Sequence, residues 1–122
     1  MERVEEFSRN GKNFIYMDFS GFRTTDDYKR QIELLKPIVS KYPELSLYTI
    51  GNIENVRLDS AIKEILMEFM KYNKPYVKCA IITGIDGIKK MMVNTMTNLT
   101  GRKNVFFTFT KEQAIELALQ QE

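Results

Sequence analysis

Val77-Lys78-Cys79-Ala80-Ile81-Ile82-Thr83, followed by Gly84-Ile85-Asp86-Gly87, is the stretch that decides the fold. Apart from Lys78 the first part is continuously apolar, which is how a strand covered on both faces of a sheet reads. The glycines and Asp86 then break the run. Behind them Ile88, Met91, Met92, Thr95 and Leu99 recur at helical spacing, and Gly101 supplies a stop. A doubly buried strand feeding a helix is the building block of a parallel α/β sheet.

The same alternation extends both ways. Upstream, residues 45–50 (Leu-Ser-Leu-Tyr-Thr-Ile) read as a strand ending at Gly51-Asn52. A helix follows from Asp59-Ser60, with Ile62, Ile65, Leu66, Phe69 and Met70 on one face, and it stops before Lys74-Pro75. Earlier still, Thr24-Thr25-Asp26-Asp27 offers a cap and early negative charge to a helix whose inner face is Tyr28, Ile32, Leu35 and Val39. Pro37 is expected to kink or split that helix, and Pro43 closes the segment. Downstream, Val105-Phe106-Phe107-Thr108-Phe109 reads as the last strand. Thr110-Lys111-Glu112-Gln113 is a capping box opening a helix that buries Ala114, Ile115, Ala118 and Leu119. At the N-terminus Asn10-Gly11 is a type I′ turn signal between Val4–Ser8 and Phe14–Met17, so the chain begins as a hairpin with a charged edge strand. The expectation is one α/β domain over residues 1–122: a mainly parallel mixed sheet of about five strands, an N-terminal antiparallel hairpin and four helices. Parallel strands are expected near residues 45–50, 77–83 and 104–109.

Composition narrows the chemistry. The 122 residues carry 18 Lys+Arg against 16 Asp+Glu, a net charge of +2 that lacks the basic excess of a general nucleic-acid binder. Histidine is absent, which removes Ser-His-Asp and Cys-His constellations and His-ligated metals. The single Cys79 excludes an internal disulfide and any Cys-x-x-Cys pair, and it reads as inert core. No catalytic residue, cofactor or metal site is expected. The charged start, Met1-Glu2-Arg3-Val4-Glu5-Glu6, is no secretory signal, and no apolar run reaches the length of a membrane span. The expected location is therefore cytoplasmic, without membrane insertion.

In open α/β sheets ligands gather beyond the carboxyl ends of the strands. Gly84 and Gly87, leading into Lys89 and Lys90, form a candidate anion site, although the spacing is neither a dinucleotide fingerprint nor a P-loop and Asp86 opposes an anion. Ser60 is either a helix cap or a phosphoacceptor. Asp18 reads as a turn residue bonding the backbone of Ser20 or Gly21. Met91, Met92 and Met96 form an adaptable apolar cluster in which Met92 is expected inside and Met96 partly exposed. Arg102-Lys103 could hold an acidic group or simply close a helix.

Met17-Asp18-Phe19-Ser20-Gly21, Asn73-Lys74-Pro75-Tyr76-Val77-Lys78, Gly84-Ile85-Asp86-Gly87-Ile88-Lys89-Lys90, Gly101-Arg102 and the Thr110–Leu119 helix occur in an order that resembles the SpoIIAA-like branch of the STAS domains, the anti-sigma-factor antagonist fold. The resemblance runs from about Gly11 to the end. It implies a non-enzymatic regulatory domain that captures a protein partner, an anti-sigma factor or a kinase-like regulator. It also places Ser60, within Leu58-Asp59-Ser60-Ala61-Ile62, at the antagonists' phosphorylated serine; there the antagonists continue Ser-Gly-Leu. The implied partner surface is Asn52, Asn55, Asp59 and Ser60. The alternative is a small-ligand domain, for a nucleotide, anion or lipid head group, at Gly84, Gly87, Lys89 and Lys90.

Overall fold

The computed structural model describes residues 3–121. The hairpin pairs β1 (Val4–Arg9) with β2 (Lys12–Asp18), and Arg9 faces Lys12 across the two-residue turn. Asn10 and Gly11 take φ of 53° and 78°, the left-handed geometry that suits the twist of the strands they join. Beyond the hairpin come α1 (Thr25–Ser40), β3 (Leu47–Asn52), α2 (Ser60–Asn73), β4 (Val77–Thr83), α3 (Gly87–Leu99), β5 (Val105–Thr108) and α4 (Lys111–Leu119). The strands lie in sequence order in one five-stranded sheet. Only β1 runs antiparallel to its neighbour; the other pairings are parallel.

Alternate strand residues feed two cores. One face sends Ile15, Met17, Leu47 and Ala80 under α1, α2 and α3. The other sends Phe14, Tyr48, Ile50, Cys79 and Ile81 under α4, with Ala114, Ile115 and Ala118. Because both faces of the central strands are covered, β3 and β4 carry the apolar runs seen in the sequence. Lys78 is the exposed exception. The expected capping box of Thr110 with Gln113 opens α4; Thr24 caps α1 as expected, and Asp27 completes a second capping box with it.

Four features differ from the sequence reading. α1 runs unbroken through Pro37, since the ring removes one hydrogen bond while buried Leu35 and Val39 still anchor the last turns. The third strand starts at Leu47, because Leu45 turns with φ 51° and is 56% exposed. Phe109 lies outside β5 and is 85% exposed. Finally, α3 buries Val93 and Met96 rather than the expected stripe: Ile88, Met91 and Leu99 face outward and Met92 is only half-buried.

Candidate functional site

The loops at the carboxyl ends of the strands interlock. The Phe19 amide donates to the Asn52 carbonyl (2.9 Å), that of Gly21 to Glu54 (2.9 Å), and that of Ile53 to Thr83 (3.0 Å). Asp18 accepts from the Ser20 amide at 2.9 Å, closing the first turn, and lies 3.4 Å from Asn52 Nδ2. The Asn52 side chain in turn accepts from the Glu54 amide at 3.0 Å. Gly84 packs onto this assembly with φ +73°; a Cβ there would lie 2.6 Å from Asn52 Oδ1 and 2.9 Å from the Glu54 nitrogen. The Asn52 loop and the Gly84 loop, separate in sequence, are therefore one surface.

Within that surface the candidate residues take different roles. Asn55 is exposed, with φ 61°. Asp59 is the N-cap of α2: its Oδ1 accepts from the Ile62 amide at 2.9 Å, and its Oδ2 lies 3.3 Å from Arg57 Nε. Ser60 is the first helical residue and is exposed, so its hydroxyl takes no part in the cap. Asp86 caps α3 by accepting from the Lys89 amide at 2.9 Å. That bond, with the nearby Lys89 charge, holds the Asp86 carboxyl below its usual pKa. Lys89 Nζ is 3.6 Å from the same carboxylate, while Lys90 Nζ stands 5.2 Å over the Phe107 ring. Gly87 has open space around it. The negative group present at the start of α3 is thus the protein's own.

A second site is a partly open cavity on the three-helix side of the sheet. Its floor is Thr49, Gly51 and Ala80, small residues at the centre of the sheet where larger ones would fill the layer. Leu66 and Phe69 of α2 and Val93 and Met96 of α3 form the roof over a cavity of about 90 Å3. α3 packs only thinly against α2, and this leaves the gap between them.

One end of the cavity is polar. Arg102 follows α3 and turns inward, 6% exposed. Its Nη1 donates to the Met70 carbonyl at 3.1 Å and its Nε to Asn104 Oδ1 at 3.2 Å, while Nη2 is buried without a partner. Asn73 Oδ1, on the same lining and equally buried, also lacks one. No carboxylate of the described residues pairs with Arg102 among the ion pairs of the molecule. Burial pushes the guanidinium below its usual pKa, with a weaker opposing pull from Cys79. A buried charge without a counter-ion is costly in proportion to its desolvation. The sequence offers Arg102 either as a binder of an acidic group or as a residue closing a helix; its inward turn and the Asn73 beside the same cavity are tertiary facts with no local signal.

Among the described residues no cluster of acidic or cysteine side chains has the geometry to hold a metal, and no helix is long and apolar enough to cross a membrane. No family model matches the chain, and no curated protein matches it in sequence. Among solved structures, it is similar to the crystal structure of an uncharacterized DUF3478-family protein with a SpoIIAA-like fold from Shewanella loihica PV-4. The two share a TM-score of 0.71 and 11% identity, over 93% of this chain and 90% of that one. The chain therefore has a SpoIIAA-like fold, as its motif order implied.

Proposed function

We propose that this SpoIIAA-like domain is a non-enzymatic regulatory module that docks a protein partner through the surface made by Asn52, Asn55, Asp59 and Ser60, with Ser60 as the phosphoacceptor. The observation that carries the reading is the division of labour at the start of α2. Asp59 does the capping, so the Ser60 hydroxyl is exposed and structurally unemployed. A phosphate there would bring roughly −1.5 to −2 charge onto a partner surface, while the positive end of the helix accommodates it. The exposed apolar residues Ile88 and Met91 begin the neighbouring helix at the same sheet edge, 77% and 72% exposed, and support a protein contact there. The partner class is an anti-sigma factor or kinase-like regulator, and the location in which they would meet is the cytoplasm.

The test has two arms. Protein taken from its own cells is analysed by mass spectrometry for phosphate at Ser60, and wild type and Ser60→Glu are compared for capture of the same partner. Phosphate at Ser60 and weakened capture by Ser60→Glu are expected. An unmodified serine together with equal capture would remove this reading.

A further inference from the structure

We infer that the cavity between the sheet and helices α2 and α3 is a binding site for a compact apolar monocarboxylate, anchored by Arg102. The inference is independent of the partner surface at Ser60. Its apolar part rests on the walls: Leu66, Phe69, Val93, Met96 and Ile82 surround a floor kept low by Gly51 and Ala80. Natural cores close such gaps unless something fills them, because the lining otherwise forfeits its dispersion contacts.

Its polar part rests on two atoms. Arg102 Nη2 is a buried donor with no acceptor, and Asn73 Oδ1 is a buried polar atom with no partner; both belong to residues lining the cavity. Buried side-chain polar atoms are nearly always satisfied, so two orphans on one cavity point to a group that completes them. A carboxylate supplies the missing counter-ion and an acceptor for Nη2. The Asn73 carboxamide, turned over, presents an N–H to the second oxygen.

The head group is a carboxylate rather than a phosphate on grounds of charge and number. One guanidinium balances one negative charge. A phosphoryl group carries up to about two charges and three strong acceptors, which would leave acceptors unpaired against apolar walls. The body of the ligand is set by the volume. An apolar cavity of about 150 Å3 takes benzene, so about 90 Å3 admits an apolar body of about four carbons. Hexanoate puts a five-carbon tail on its carboxylate at the size limit of this partly open cavity and serves as the probe.

The experiment titrates hexanoate, 1-hexanol and inorganic phosphate into the 122-residue chain, read by thermal shift and isothermal calorimetry, with Arg102→Met and Ala80→Leu as variants. Hexanoate is expected to bind saturably at one site and raise Tm. Hexanol should bind about tenfold or more weakly for want of the charge-assisted hydrogen bond, and phosphate should have no effect. Arg102→Met should lose about tenfold or more in hexanoate affinity. Ala80→Leu fills the floor without touching the polar end and should abolish binding. Should Arg102→Met fail to fold, the hexanol comparison and Ala80→Leu decide by themselves. Equal binding of hexanol and hexanoate, a phosphate-induced shift, binding that survives Ala80→Leu, or no response to millimolar hexanoate would each overturn the assignment.

Discussion

Replacing Asp59 by alanine tests which residue holds the start of α2. The Asp59 carboxylate does three things at once. It accepts the Ile62 amide at 2.9 Å, it pairs with Arg57 at 3.3 Å, and it places negative charge at a helix N-terminus. Loss of an N-cap costs about 0.5–2 kcal/mol. The ion pair joins side chains 61% and 40% exposed, so it adds little and is screened by salt. The charge–dipole contact is worth about 0.3–1 kcal/mol. These contributions share one carboxylate and overlap, giving about 1–2 kcal/mol for Asp59→Ala and a fall of several degrees in Tm. Asp59→Asn keeps an acceptor and should cost about half as much. Ser60→Ala should lie within about 0.5 kcal/mol of wild type, because the residue is exposed and alanine is the better helix former. Urea denaturation followed by far-UV circular dichroism, with the transition slopes compared, measures all three. If Ser60→Ala costs as much as Asp59→Ala, the serine is the cap and its hydroxyl is not free for modification.

The two glycines of the β4–α3 loop should behave oppositely. Gly84→Ala forces a Cβ to 2.8 Å from Glu54 Cβ and 2.9 Å from its backbone nitrogen at φ +73°, and should destabilise by at least about 1 kcal/mol. Gly87→Ala meets open space at the start of a helix and should stabilise by up to about 1 kcal/mol in the same melts. Glu6, bonded to Lys41 at 2.8 Å and to the Tyr42 hydroxyl at 2.7 Å, is held below its ordinary pKa of 4.5 by those hydrogen bonds. Its contribution is present above the unfolded pKa and is lost as pH falls through the depressed folded value. The stability gap between wild type and Glu6→Gln should therefore close in acid, and a gap constant from neutral pH down to about 2 would contradict a depressed Glu6 pKa in the folded state. Burial pushes the Cys79 thiol up to about 11, so iodoacetamide at pH 8 should label it only on unfolding. Labelling of the folded chain at the rate of the urea-unfolded one would contradict its place in the core.

Local chemistry explains what was legible beforehand. Asn10-Gly11, Thr24 and the pair Thr110 with Gln113 act within a few residues of themselves, so the hairpin, the cap of α1 and the capping box of α4 read directly from the chain. The doubly apolar run at Val77–Thr83 announced a parallel strand covered on both sides. The phase of α3 was not legible. Its sequence carries two apolar stripes, Ile88-Met91-Thr95-Leu99 and Val93-Met96, and periodicity cannot choose between them. Packing chose the second, turning the first to solvent. Ser60 and Asp59 posed the same difficulty at single-residue scale, since both are good caps and only the backbone angles of Asp59 settle which one bends out of the helix.

The sequence by itself determined the kind of molecule this is: alternating strands and helices behind a hairpin, with no histidine for proton transfer and one inert cysteine. Which loops meet, which face of α3 is buried, and where the cavity lies were decided only in the tertiary structure. Thr49, Gly51 and Ala80 are unremarked small residues until neighbouring strands set them side by side, and Arg102 is an ordinary basic residue until the chain turns it under α2. The physical reason is range. Turn and cap preferences are carried by contacts a few residues apart, whereas a void and an unpaired charge exist only relative to atoms brought in from distant parts of the chain.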